Sequence, residues 1–93
     1  MSGLAVAELG APDGVPVLAI HGITSSSRAW LALSRNLPEA RILAPDLRGR
    51  GRSRDLEPST GMRHHAADLA MLLDERGLGP VPVVGHSMGA YIA

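Results

Sequence analysis

Val81-Pro82-Val83-Val84-Gly85-His86-Ser87-Met88-Gly89-Ala90-Tyr91-Ile92-Ala93 closes the 93-residue sequence and decides its fold. Val81 to Val84 is a short apolar strand, Gly85 to Gly89 fits G-x-S-x-G, and Ala90 to Ala93 opens a helix. A strand that feeds a helix through so tight a corner holds its middle residue in a strained backbone conformation, and the flanking glycines leave room for the chain to turn. The hydroxyl of Ser87 is thereby pushed outward. A serine hydroxyl is a poor nucleophile until a base takes its proton, and the oxyanion formed by its attack needs fixed donors. The N–H of Met88 supplies one, because donors at a helix start lack intrahelical partners and the dipole there favours negative charge. A second is expected from another strand end.

Working back from that corner, Met62, His65, Ala66, Leu69, Leu72 and Leu73 recur at three- and four-residue intervals, which predicts a helix over Met62 to Arg76 with Thr60 as a possible cap and Gly77 just past its end. Asp46 to Pro58 is a loop rich in glycine and arginine, and Arg41 to Pro45 a short apolar strand closed by proline. Trp30, Leu33 and Leu37 stand at helical spacing before Pro38, with Thr24 to Ser27 offering caps, so a helix is predicted over Ser27 to Leu37. Val15 to Ile20 is an almost unbroken apolar run of the kind covered on both faces. Leu4 to Leu9 reads as a strand, and Gly10 to Gly14 holds the residues that turn a chain back, which predicts a hairpin between the two. The order predicts an α/β fold: a mostly parallel sheet after an N-terminal hairpin, with helices on both faces.

Composition narrows the field. At 9.7 kDa one domain is the limit, and without cysteine no disulfide supports it. Nine basic residues, all arginine, balance nine acidic ones, a net charge of zero that argues against a nucleic-acid binder. The first ten residues lack a positive start and carry Glu8, so they do not read as a secretory signal, and a cytoplasmic setting is expected. The longest uncharged run, Gly77 to Ala93, falls short of the roughly 18 apolar residues of a membrane span and is interrupted by Pro80, Pro82, Gly85 and Gly89.

The second oxyanion donor has a candidate in the His21-Gly22-Ile23 turn, where glycine allows close backbone approach. With that turn, which Trp30 follows, with Asp46-Leu47-Arg48-Gly49-Arg50-Gly51-Arg52-Ser53 and with Gly85 to Gly89, the chain resembles the α/β-hydrolase superfamily, in particular its single-domain serine hydrolases such as esterases, lipases and haloperoxidases. The resemblance runs from Leu4 to Ala93, about the first third of a typical member. It implies that Ser87 is the nucleophile, that the N–H groups of Met88 and Ile23 form the oxyanion hole, and that Gly22 shapes the second turn. An ester, thioester, amide or similar small acyl substrate would be cleaved through an acyl-enzyme, with no cofactor and no metal. Serine at the corner sets the chain apart from the epoxide hydrolases and haloalkane dehalogenases of the same fold, which carry aspartate there.

Two departures accompany these matches. The superfamily places its acid and its histidine base after the nucleophile, whereas six residues follow Ser87, and His21, His64, His65 and His86 all precede it. The chain is therefore expected to be one incomplete domain, 1–93, truncated after the Gly85 to Gly89 corner and inactive alone. The superfamily's first strand is also expected to be missing, with Leu4 to Leu9 matching its second.

The remaining polar residues have structural readings. His21 is read as shaping its turn through hydrogen bonds, and His86, on the sharp corner, as packing rather than as a base. Asp46 is read as a carboxylate that accepts backbone N–H bonds and fixes its loop. Arg48, Arg50, Arg52 and Arg54 are read as a solvated loop face, and His64 with Asp68 as an i, i+4 surface pair rather than metal ligands. Trp30 is read as packing the first helix on the sheet. An alternative to the hydrolase is a non-catalytic half-domain that associates with a partner or a second copy through the sheet edge at Val81 to Val84.

Overall fold

The computed structural model describes residues 3–22, 26–57, 59 and 61–92, the side chains at 88 and 91 excepted. Among these residues four strands, β1 (Val6–Gly10), β2 (Val15–Ile20), β3 (Ala40–Pro45) and β4 (Val83–Gly85), form one sheet in the order β1-β3-β2-β4. β2 runs parallel to β3 and to β4, and β1 alone is antiparallel. Three α-helices among the described residues accompany it: α1 (Leu31–Asn36), α2 (Met62–Glu75) and α3 (Met88–Ile92).

The expected hairpin between the first two strands does not pair. The chain does reverse, with the Gly14 N–H donating to the Ala11 carbonyl at 3.0 Å, but β3 lies between β1 and β2. The glycines that suggested a hairpin turn make room for this insertion instead. A Cβ on Gly10 would fall 2.1 Å from the Ala40 oxygen, and one on Gly14 2.1 Å from the Glu39 oxygen, so the start of β3 passes directly against both. Ala11 seals the arrangement by donating to Ala40 at 2.9 Å.

β3 is thus central, and its side chains divide the core by the alternation of a strand. Leu43 joins Leu18 and Ile20 under Leu69 and Leu72 of α2 and Ile92 of α3. Ile42 and Ala44 join Ala19 on the other face, under Trp30. Helices therefore cover both faces, and Trp30 packs its helical segment on the sheet as its spacing predicted.

Boundaries differ locally for identifiable reasons. The first helix divides into a 3-10 turn over Ser27–Trp30, capped by the Ser26 hydroxyl on the Arg28 N–H at 3.4 Å, and then α1. Thr24 and Ser25 lie outside the described residues, as does Thr60; α2 instead begins after Gly61. α2 ends with Leu78 donating to Leu73 and with Gly77 at φ +64°, the glycine stop that was expected. β4 is regular only from Val83, since Pro82 has no N–H to give; its carbonyl still accepts from Leu18 at 3.0 Å. Within the Gly-Arg loop, Gly51–Ser53 forms a 3-10 turn.

Candidate active site

Because β2 and β4 are adjacent and parallel, with Ile20 opposite Gly85, their carboxyl ends open side by side. Parallel α/β sheets gather their sites at such ends. His21-Gly22 leaves one strand and Gly85 to Gly89 leaves the other, so two motifs more than sixty residues apart meet.

Ser87 has φ +55°, the only positive value for a non-glycine among the described residues, and is exposed. A left-handed conformation costs a residue with a Cβ on the order of 1–2 kcal/mol and persists only where the surroundings enforce it. Here they do. The His86 N–H donates to the Ile20 carbonyl at 3.1 Å, and the Gly89 and Ala90 N–H groups donate to the carbonyls of His86 and Ser87 at 3.0 Å each, closing the turn into α3. Gly89 lies hard against β2, where a Cβ would stand 2.1 Å from the Ile20 oxygen. The corner and the Gly22 turn are in contact as well: a Cβ on Gly22 would lie 3.3 Å from that of Ser87 and 3.4 Å from the His86 oxygen. Met88 is the first residue of α3, so its N–H has no acceptor within that helix. Ile23 lies outside the described residues.

Behind Gly22 the turn is tied to the β3 loop. His21 is fully buried; its Nδ1 lies 2.7 Å from the Gly22 carbonyl oxygen, and its Nε2 accepts from the Leu47 N–H at 3.0 Å. Burial lowers its pKa below 6.5, outweighing the Gly22 contact and the nearby Asp46 charge, which act to raise it. Asp46 behaves as its place before the glycines suggested. Its buried carboxylate accepts from the Ser27 N–H at 2.6 Å and from the Arg52 N–H at 3.2 Å, and pairs with the Arg52 Nε at 3.2 Å. Burial pushes this carboxyl up, but the bonds from Ser27 and Arg52 together hold it below its ordinary value.

Two readings of the charged residues are corrected. Arg48 is not part of a solvated face: its guanidinium forks onto Asp68 at 2.7 and 2.9 Å, with the two side chains 16% and 2% exposed. Asp68 accordingly is not a surface residue; it lies on the buried face of α2 with His65, Leu69 and Leu72. The signal was present in the sequence, since position 68 falls within the apolar stripe of the helix. Arg52, read as solvated, also has a carboxylate partner in Asp46. His65 is buried too, its Nδ1 has no hydrogen-bond partner among the described residues, and burial lowers its pKa.

On the α1 side of the corner, Ala29, Trp30, Val84, Gly85 and His86 line a hollow of about 370 Å³. Trp30 therefore serves both as core and as wall. Among the described residues no group of three or more His, Asp or Glu gathers as metal ligands would, and no helix is long and apolar enough to cross a membrane.

The family model described as the alpha/beta hydrolase fold matches residues 15–93. The lipase LipV of Mycobacterium tuberculosis is 51% identical over 77 residues, which are 83% of this chain and 29% of the lipase. A putative 2-succinyl-6-hydroxy-2,4-cyclohexadiene-1-carboxylate synthase of Bacillus subtilis is 33% identical over 93 residues, covering 96% of this chain and 33% of its own length. Among solved structures, a marine microorganism esterase superposes with a TM-score of 0.86 at 27% identity, over 97% of this chain and 34% of the esterase. This chain belongs to the α/β-hydrolase family, and it spans about a third of the length of these relatives.

Proposed function

We propose that Ser87 is the nucleophile of a serine hydrolase that cleaves an ester, thioester, amide or similar carbonyl bond. The observation that carries this reading is the left-handed Ser87 at the strand-to-helix corner, exposed and backed by Gly22. The names of the lipase and the esterase support ester chemistry in particular. Ser87 Oγ attacks the carbonyl carbon as its proton passes to a base; the N–H groups of Met88 and Ile23 receive the negative oxygen, and Gly22 lets the second turn come close. Collapse expels the leaving group with a proton from that base, and water then releases the acyl group by the same steps in reverse. A cytoplasmic setting belongs to the same reading.

No acidic residue and no histidine follows Ser87 in the 93 residues. The acid and base are assigned to polypeptide outside them, and the 93-residue chain alone is expected to be inactive. The test is expression of the whole reading frame with an assay on a chromogenic short-chain ester. Ser87→Ala should lower kcat by on the order of 10⁴ or more, since triad members act as a unit. Turnover that survives Ser87→Ala would contradict the assignment.

A second reading is favoured by β4. Among the described residues no strand pairs with its outer edge, Val83 and Val84 are 43% and 38% exposed, and an apolar hollow of about 250 Å³ beside it is lined by Leu18, Ile20, Leu69, Leu73, Val83 and Ile92. Under that reading the 93 residues associate through this edge and do not catalyse. A defined oligomer on size-exclusion chromatography, without ester turnover, is its expected outcome.

A further inference from the structure

The buried imidazole between the two turns has no part in the chemistry proposed above, yet both of its nitrogens are committed. The Gly22 carbonyl can only accept a hydrogen bond and the Leu47 N–H can only donate one. One ring nitrogen must therefore carry a proton and the other a lone pair. The distances fix which: Nδ1 donates to Gly22 and Nε2 accepts from Leu47. We propose that His21 is a positioning residue, a neutral imidazole locked in its Nδ1–H tautomer, which braces the Gly22 turn against Ser87 by tying it to the backbone that follows β3.

The brace extends beyond Leu47. Asp46, one residue before, is fixed on Ser27 and Arg52, and Arg48, one residue after, is forked onto Asp68 of α2. The turn behind Ser87 is thus referenced to a rigid neighbour on each side of the Leu47 amide. An imidazolium could still donate to Gly22 but could not accept from Leu47, and two donors would then face each other in a site without water contact. The groups that face His21 are Asp46 and Arg50 of the β3 loop and His65 of α2, while the His86 ring approaches Gly22 from the corner. Asp46 favours the imidazolium, and Arg50 opposes it. Burial acts in the same direction as Arg50, so the neutral form persists below pH 6.5.

The role in catalysis rests on Ser87 being the nucleophile; the tautomer does not. Two measurements separate them. In ¹⁵N-labelled protein at pH 8, long-range imidazole spectra should show His21 with Nδ1 protonated and Nε2 bare. On acidification the amide resonances of Leu47, Gly22 and Ser87 should move together with the His21 midpoint, below 6.5. An Nε2–H tautomer or an imidazolium at pH 8, or Gly22 and Ser87 amides indifferent to the His21 midpoint, would overturn the proposal. The second measurement uses the whole reading frame and a fluorophosphonate that phosphonylates serine nucleophiles. His21→Phe should slow adduct formation at Ser87 at least tenfold, and His21→Gln, which retains an acceptor, should recover part of that loss. Equal rates in all three proteins would remove the positioning role. No adduct on Ser87 in the unsubstituted protein would instead overturn the nucleophile reading, with the tautomer result still standing. If His21→Phe fails to fold, the spectra of the unsubstituted protein remain decisive.

Discussion

Ser87 and the residues that touch it make separable demands on stability and chemistry. Its φ of +55° is one that glycine adopts freely, so Ser87→Gly should stabilise the fold, by about 1 kcal/mol in a denaturant titration, while removing the hydroxyl. A stabilised but inert variant is the signature of strain kept for function; a loss of stability would mean the hydroxyl itself supports the corner. Gly22→Ala sets a Cβ 3.3 Å from that of Ser87, a contact that asks the corner to shift by a few tenths of an ångström. Its expected effect falls on kcat, by tenfold or more, with a smaller effect on stability. Gly89→Ala is different, because its Cβ would meet rigid β2 backbone at 2.1 Å, and little folded protein is expected. Asp46→Ala removes a buried acceptor from Ser27 and Arg52 and should destabilise by about 3 kcal/mol, the scale of hydrogen bonds to a charged group.

At the scale of elements, the sheet and the helices differ in how far the sequence disclosed them. Valine runs, glycine stops and the 3.6-residue stripe of α2 are local patterns, so the four strands and three α-helices of the described residues were visible within a few residues of their bounds, whereas the 3-10 turn at Gly51–Ser53 was not. Strand order was not. Gly10 and Gly14 read equally well as a hairpin turn and as clearance for a third strand, and only the long-range pairing of β1 with β3 distinguishes them. The serine corner was legible because five consecutive residues build it, and Asp46 because one of its donors, Arg52, sits in the adjoining glycine loop, although the other, Ser27, is distant in sequence. The Arg48–Asp68 fork was not, since its members are twenty residues apart and alternating arginines resemble a solvated face. That fork joins the β3 loop to α2, so Asp68→Ala should lower the melting temperature of the whole protein more than Glu8→Gln does. Glu8 binds Arg41 and Arg76 too, at 2.9 and 3.0 Å, but at a half-exposed surface where ion pairs contribute little.

For the molecule as a whole, the buried histidines and Asp46 act in one direction. His21 and His65 have folded pKa values lowered from 6.5, so the unfolded chain binds more protons than the folded one as pH falls through that value. Asp46, lowered from 3.8, contributes stability that is complete above that value and lost as pH falls through its folded pKa. Stability should therefore hold on the alkaline side of 6.5, decline below it, and decline again in strong acid. A melting temperature unchanged from pH 7.5 to pH 5 would contradict the histidine contribution. The proposed function asks for one thing above all: that the corner joining β4 to α3 presents an oxygen able to form a covalent bond. Mass mapping of the protein from its whole reading frame after fluorophosphonate treatment measures this directly. A single adduct on Ser87, lost in Ser87→Ala together with ester turnover, is the predicted result; an adduct on another serine, or turnover that outlasts the substitution, would contradict it.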